Sequence, residues 1–575
     1  MQPRESMKYV LFPFNWFIFW ILSGHLCYAA GLFKFGPKNY AAGDNVDTTV
    51  NTVSPYIGTE DGSSDIINYE YYYEKLHFCR PERIVHQSES LGSIIFGDRI
   101  FNSPFEINML QNKSCTVLCG RTIPNDDAKL IQELIQKRYV INWNIDNLPV
   151  ATKQIRENQQ KSNLVIGSPI GTMVNDQPAL YNHLHIVVEY HSVTPDLHRV
   201  VGAYVYPASR KSNYVDGQPA CADASETEPE FFSVLGDTNV VSTYSVTWKY
   251  SDTPWATRWD KYMQVEDVEI HWIFLTLSAT IALTLVITVF VVLFRVLNRD
   301  ITTYNNALLD QEYVEEDSGW KLIYADVFRP PKRVLLFSVV LGTGAQLFFM
   351  SSAIILLAIL GLSSPSRRGS LSTAIVILFI LSGFVSGYVS ARAYKIMRGT
   401  LLKRNIVLTP FVVPGVFFCA CCSLNVIFWF KNSSSTIPLK SLVTLVLLYL
   451  IFTVPLSFFG SIVGFRSREF VAPVRTNQIP RQIPDQSIWL RTLPSVLIGG
   501  AIPAATIFVE LYSVMDSLWF HPLYFMFGFL FLCFGIMIAT CSMVSILSCY
   551  FQLCSENYHW WWRSFFTSAL LFLCL

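Results

Sequence analysis

The sequence predicts a multidomain membrane protein in which a β-sandwich-like lumenal ectodomain precedes an all-α polytopic transmembrane bundle. Three features carry this: an apolar leader, a first half rich in strand-forming segments, and seven long apolar runs from Ile270 onward. With 51% hydrophobic and only 15% charged residues among 575, the chain is too apolar for a soluble protein of its length. Net charge is zero and no basic block is present, so nothing points to nucleic acid, and the lipid bilayer is the expected surrounding.

Residues 1–29 read as a signal peptide. Arg4 and Lys8 precede an apolar run from Tyr9 to Leu22, and the small residues Ala29 and Ala30 mark a cleavage site. The alternative is an uncleaved signal anchor, since Tyr28 is bulky for that position. Either places residues 30–268 outside the cytosol.

That region carries strand signals. The segments from Tyr139, His183, Arg199 and Ser242 are rich in Val, Ile, Tyr and Trp and partly alternate. The second and third flank Pro195-Asp196 and are expected to form an antiparallel hairpin. Ala208 to Glu230, with Gly217, Pro219 and Pro229, reads as an exposed loop. Cys79, Cys115, Cys119 and Cys221 permit three pairings; Cys115 and Cys119 are close enough in sequence for a small disulfide loop, though spacing alone does not choose. Asn112 opens the sequon Asn112-Lys113-Ser114 and is the expected glycosylation site, whereas Asn432 in a second sequon lies too near the membrane for the transferase. His183, His185, Glu189 and His191 share one face of a regular strand. A neighbouring pair such as His183 and His185 could hold one metal ion, and a solvated polar face is the alternative.

The spans run over about 270–294, 334–362, 371–391, 405–430, 439–465, 494–514 and 522–550. Each meets the ~20 apolar residues that a ~30 Å core demands. A partial eighth, 564–575, supplies only ~18 Å of helix at ~1.5 Å per residue, so the natural chain is expected to continue. Fifteen Lys and Arg, from Arg299 to Arg563, fall in one set of loops and four in the other, which sets the N-terminal domain on the lumenal side.

Inside the spans, Gly383 and Gly387 with Ala391, and Gly460 with Gly464, form small faces that serve either client helices or packing within the bundle. Pro410, Pro414, Pro455 and Pro503 break helical hydrogen bonds and suggest a cavity or hinge. Glu510 is the one acid clearly inside a span. It faces protein or water as a site residue, or snorkels to the nearby surface. The cluster Cys419, Cys421, Cys422 reads as packing. Trp560, Trp561 and Trp562 beside Arg563 read as an interfacial anchor. The segment PVRTNQIPRQIP, with Arg475, Asn477, Gln478 and Arg481, reads as an ordered extended loop that binds a partner or closes the bundle.

The series TRWDKYM, FRVLNRDITTYN, GWKLIYADVFRPP, PFVVPGVFF, PVRTNQIPRQIP, FVELYS, FMFGFLFL and YFQLCSENYHWWWRSF, in this order, resembles the transmembrane 9 superfamily, the nonaspanins or endomembrane protein 70 family. The N-terminal half agrees through FCRP, LGSIIFGDRI, NIDNLP and YNHLHIVVEYH, and the resemblance covers residues 32 to about 568. It implies a signal peptide, a large lumenal domain and nine spans, residence in Golgi and endosomal membranes, and a part in sorting and delivering other membrane proteins as clients. It implies no catalysis and no cofactor. The family's cytosolic Lys-x-Asp or Lys-x-Glu tail, which binds coatomer, is absent here, so coatomer binding is in doubt. Met543 stands where the family pattern has a glutamate. A transporter or channel, favoured by Glu510 and the prolines, and a seven-span receptor are the rival readings.

Overall fold

The computed structural model describes residues 37–567 apart from 57–66, 88–90, 96, 156–161, 175–176, 211–212, 216–217, 222–231, 234–237, 264–271, 311–318, 361–369, 432 and 521–526. The expected signal peptide, the Asn432 side chain, most of the 208–230 loop and most of the partial eighth span lie outside the described residues.

The N-terminal domain is built on two six-stranded sheets. One centres on β1 (Thr48–Pro55). The other has the order β2 (Lys113–Ile123), β8 (Thr238–Tyr250), β6 (His183–Thr194), β7 (Leu197–Ala208), β4 (Ala151–Ile155), β5 (Ser162–Ile166). In the first sheet β1 pairs antiparallel with β3 (Tyr139–Ile145). Val50, Trp143 and Ile145 from this sheet meet Ile186, Val188, Val200 and Val246 from the second in one buried core, which makes the domain sandwich-like. The hairpin of β6 and β7 turns at Pro195-Asp196, as their turn chemistry predicts. Asp146 and Asn147, both at positive φ (48° and 61°), make the tight turn from β3 into Leu148–Pro149.

The cysteines pair as Cys79–Cys119 and Cys115–Cys221, which corrects the Cys115–Cys119 loop that spacing had left possible. Both residues lie on β2, where four residues of extended chain hold their Cα atoms about 13 Å apart, far beyond disulfide reach.

Among the described residues, the second half holds seven helices long and apolar enough to cross a membrane. They are α3 (Trp272–Asp310), α4 (Val334–Ile359), α5 (Ser370–Ile396), α6 (Leu402–Phe430), α7 (Leu439–Arg466), α8 (Thr492–Phe520) and α9 (Phe527–Cys554). The shorter α1 (Leu91–Ile95) and α2 (Asn125–Gln136) belong to the N-terminal domain, and α10 (Trp560–Thr567) follows the bundle. α5 packs between α4 and α7, while α3 packs on α8 and α9. α3 continues as a polar helix far past Phe294, an extension that hydropathy alone does not register.

The prolines have identifiable consequences. Pro414 has no N–H for the Pro410 carbonyl, and the Tyr449 hydroxyl donates to that carbonyl instead. Pro455 likewise cannot reach back to Ile451, and the preceding turn of α7, Tyr449–Thr453, widens into a π-helix.

Candidate functional site

Glu510 sits on α8 with only 3% of its surface exposed, so it does not snorkel. Its Oε1 is hydrogen-bonded to Ser278 Oγ of α3, and Ser278 Oγ also lies 2.8 Å from the Thr506 carbonyl oxygen. Its Oε2 is buried and has no partner among the described residues. The Cys533 thiol of α9 lies within electrostatic reach. Ser278 is six residues into α3, about 9 Å of helix from Trp272, so this seam is near the bundle end that carries the N-terminal domain.

The glycine faces are filled by one another. A Cβ on Gly387 would lie 1.9 Å from the Ser457 carbonyl oxygen, and one on Gly383 2.8 Å from Thr453 Cγ2. From the other side, a Cβ on Gly460 would lie 2.2 Å from the Phe384 carbonyl oxygen, and one on Gly464 2.7 Å from that of Tyr388. α5 and α7 therefore approach at backbone distance, the use that small residues serve in membranes. α5 also carries Ser382, Ser386 and Ser390 inward. Ser390 Oγ bonds with Thr409 Oγ1 at 2.9 Å and accepts from Asn405 Nδ2 at 3.1 Å, joining α5 to α6. Gly415 on the outer side of α6 is different: a Cβ there meets nothing within 4 Å, and Cys419 and Ser423, one and two turns on, are exposed.

At the end of the bundle away from the N-terminal domain, three sequence-distant segments lock together. The indole N–H groups of Trp560, Trp561 and Trp562 donate to the carbonyls of Val327 (3.0 Å), Arg329 (3.0 Å) and Lys332 (2.8 Å). Trp560 and Trp561 are only part-exposed here, so these tryptophans are tie-bars as much as interfacial anchors. Arg329 donates to the buried Asp326 carboxylate at 2.7 Å and to the Asn477 carbonyl at 2.8 Å. Arg481 pairs with Glu556 at 3.0 Å, and Arg563, itself buried, donates to the carbonyls of Leu490 and Arg491. Arg475 and Gln478 are exposed. The irregular proline-bearing loop thus closes the bundle through Asn477 and Arg481.

In the N-terminal domain, the histidine row is held by protein groups, and His183 is fully buried rather than solvated. β6 and β8 run parallel and place Thr243 beside His183 and Ser245 beside His185. His183 hydrogen-bonds with Thr243 Oγ1 (2.7 Å) and Ser245 Oγ (3.2 Å), and His185 Nδ1 with Ser245 Oγ (2.8 Å). Burial first, then the nearby Arg210 and His185 charges, pushes the His183 pKa down to about 4; burial and Arg210 lower that of His185. Glu189 accepts from Lys261 at 2.6 Å, and His191 Nδ1 faces the Ser251 carbonyl at 3.1 Å.

Two further joints carry no sequence signal beyond their specific wording. The Arg258 guanidinium bonds the Asp146 carboxylate at 2.8 Å and the Val200 carbonyl at 3.0 Å, while Tyr40 donates to the same carboxylate at 2.9 Å. This buried cluster pins the segment leading to α3 onto the sandwich. On the bundle side, α1 lies against the start of α5, where a Cβ on Gly92 would be 2.5 Å from Ser372 Cβ. The α6–α7 connection joins in: Ser434 N–H donates to the Asn68 carbonyl at 2.7 Å, and Asn68 Nδ2 to Ser435 Oγ at 3.0 Å.

Comparison with known proteins adds a family to this geometry. The family model for Endomembrane protein 70 matches residues 68–574. A transmembrane 9 superfamily protein of Schizosaccharomyces pombe is 59% identical over 554 residues, covering 96% of this chain and 88% of its own. Transmembrane 9 superfamily member 1 of Saccharomyces cerevisiae is 40% identical, over 92% of this chain and 85% of its own, and human member 4 is 36% identical, over 87% and 81%.

Proposed function

The chain belongs to the endomembrane protein 70, or transmembrane 9, superfamily, and from that membership we propose that it is a sorting or escort protein of Golgi and endosomal membranes. In this reading its N-terminal domain is lumenal and it acts on the localisation of other membrane proteins. Family membership along nearly the whole chain is the observation that carries the proposal. Packing narrows where a client helix would bind. The glycines of α5 and α7 are already occupied, whereas Gly344, Gly415, Gly528 and Gly535 face open space; of these we take Gly415, because Cys419 and Ser423 continue it at four-residue spacing along the outer face of α6.

Quantitative co-purification after in-cell crosslinking tests this. Gly415→Leu should reduce recovery of particular membrane proteins while the folded yield stays at the wild-type level. Unchanged recovery from a folded Gly415→Leu protein would remove α6 as the client face. Wild-type surface and organelle proteomes in cells lacking the chain would count against sorting itself.

A further inference from the structure

We propose that the N-terminal domain binds a short aliphatic carboxylate in a pocket between α2 and the β2 edge of the second sheet, with Arg121 as its counter-charge. This stands apart from the sorting role and holds or fails without it. Cys119, Arg121 and Ile123 alternate onto one face of β2, and β8 lays Ser242 opposite Cys119 and Val240 opposite Arg121. Arg121, Ile123, Val240 and Ser242 thereby line one wall of a pocket of about 50 Å³. Ile131 and Leu134 of α2 close it from the other side, and both are buried. Arg121, Ser242 and Tyr181 are half-exposed, so the polar groups stand at the mouth and the apolar ones form the floor.

The charge at that mouth is unbalanced. The Cys79–Cys119 bridge brings Arg80 to the same face of β2, because Arg80 follows Cys79 directly. Arg80 is held by the Tyr72 carbonyl at 3.0 Å. Arg121 has no hydrogen bond or ion pair among the described residues, and the groups within its electrostatic reach are Arg80, of like charge, and the Tyr71 phenol. Burial first, then the Arg80 charge, lowers the Arg121 pKa. Asp127 borders the pocket through His77, and its carboxylate is spent on that ring at 2.7 Å. Two cations held near each other by a disulfide repel unless an anion joins them. A carboxylate presents two oxygens that the guanidinium fork matches, and the Ser242 hydroxyl adds a donor from the same face. The floor selects the rest of the ligand: an inorganic anion covers none of it, whereas a short alkyl chain removes it from water. At ~10–15 Å³ for each water-sized atom the pocket takes roughly four, the scale of the butyrate carbon chain.

The test uses the full chain in lipid nanodiscs with carbon-13 in the isoleucine methyl groups, since Ile123, Ile131 and Ile170 all line the pocket. Titration with sodium butyrate should shift these three methyl signals saturably, and butyramide, of the same shape without the charge, should bind at least about tenfold more weakly. Arg121→Gln should weaken butyrate by at least about tenfold while the other isoleucine signals stay in place; if that variant does not fold, the contrast between butyrate and butyramide in the wild-type protein decides. N-acetylvaline carries the same charge on a body too large for the pocket and should bind more weakly than butyrate. Equal responses to butyrate and butyramide, or butyrate binding unchanged in a folded Arg121→Gln protein, would overturn the proposal. So would a response to inorganic phosphate without one to butyrate, which would make this a bare anion site, and so would N-acetylvaline binding more tightly than butyrate, which would make it a site for polypeptide termini.

Discussion

Replacing Gly387 by alanine puts a methyl group where α5 and α7 leave no room. The new Cβ would lie 1.9 Å from the Ser457 carbonyl oxygen, 2.8 Å from its carbon and 3.0 Å from the Ser461 nitrogen, all backbone atoms that cannot rotate aside. Restoring ordinary contact at ~3.5 Å requires the helices to part by roughly 1.5 Å at this point. That separation also loosens the contacts at Gly383, Gly460 and Gly464, which share the seam. Overpacking of this kind costs ~1–3 kcal/mol, and alanine recovers at most ~1 kcal/mol through helix propensity. A net loss of about 1–2 kcal/mol is expected, and Gly387→Leu should lose more. Gly415→Ala is the internal control, because its methyl meets nothing within 4 Å and should be neutral or slightly stabilising. Thermal unfolding of detergent-purified protein, followed by fluorescence-detected size exclusion, reads the difference. Equal midpoints for Gly387→Ala and Gly415→Ala would refute the backbone-distance packing, and with it the assignment of these glycines to internal contacts.

Three other outcomes are expected. A glycosidase-sensitive mass shift should vanish in Asn112→Gln: Asn112 is exposed at the start of β2, whereas Ser434 of the second sequon is buried and bonded to Asn68; a wild-type chain without any shift would count against a lumenal domain. Non-reducing peptide mapping should recover Cys79 linked to Cys119 and Cys115 linked to Cys221; breaking the second bridge, with its sequence separation of 106, should cost up to about 5 kcal/mol on the chain-entropy estimate, and a Cys115–Cys119 peptide would contradict the structure. The unfolded chain protonates His183 near pH 6.5, while the folded ring declines its proton until about pH 4. Stability is therefore fully present above pH 6.5 and should fall by roughly 3 kcal/mol as pH drops to about 4, a loss that His183→Gln should largely remove; parallel pH profiles for the two proteins would exclude His183 as the cause.

What local chemistry determines was legible in the sequence, and what distant partners determine was not. Hydrophobic length revealed seven spans because a bilayer imposes a minimum run, and Pro195-Asp196 revealed a hairpin because a turn is decided within a few residues. The disulfides stayed undecided, and the nearby pair was the wrong candidate, because nearness along the chain is separation along a strand: Cys115 and Cys119 share β2 and find partners 106 and 40 residues away. His183 looked solvated because period-two alternation shows which side chains share a face and nothing of what covers it; the cover is Thr243 and Ser245, 60 and 62 residues on. Trp560 bonds a carbonyl 233 residues away, which no window of sequence contains.

The specific segments that carry the family resemblance share a physical role that their wording does not reveal. TRWDKYM contributes Arg258 to the Asp146 cluster and Lys261 to Glu189; LGSIIFGDRI contributes Gly92 to the start of α5; GWKLIYADVFRPP and the tryptophan run hold each other at the far end. Each joint fixes one part of the chain against another through buried charge, backbone carbonyls or close glycine contact, and so tolerates few other residue types. Polar groups satisfied in this way are spent on architecture. By the same logic the unspent ones are the informative ones: Oε2 of Glu510 is buried without a hydrogen-bond partner among the described residues, in the seam of α3 and α8.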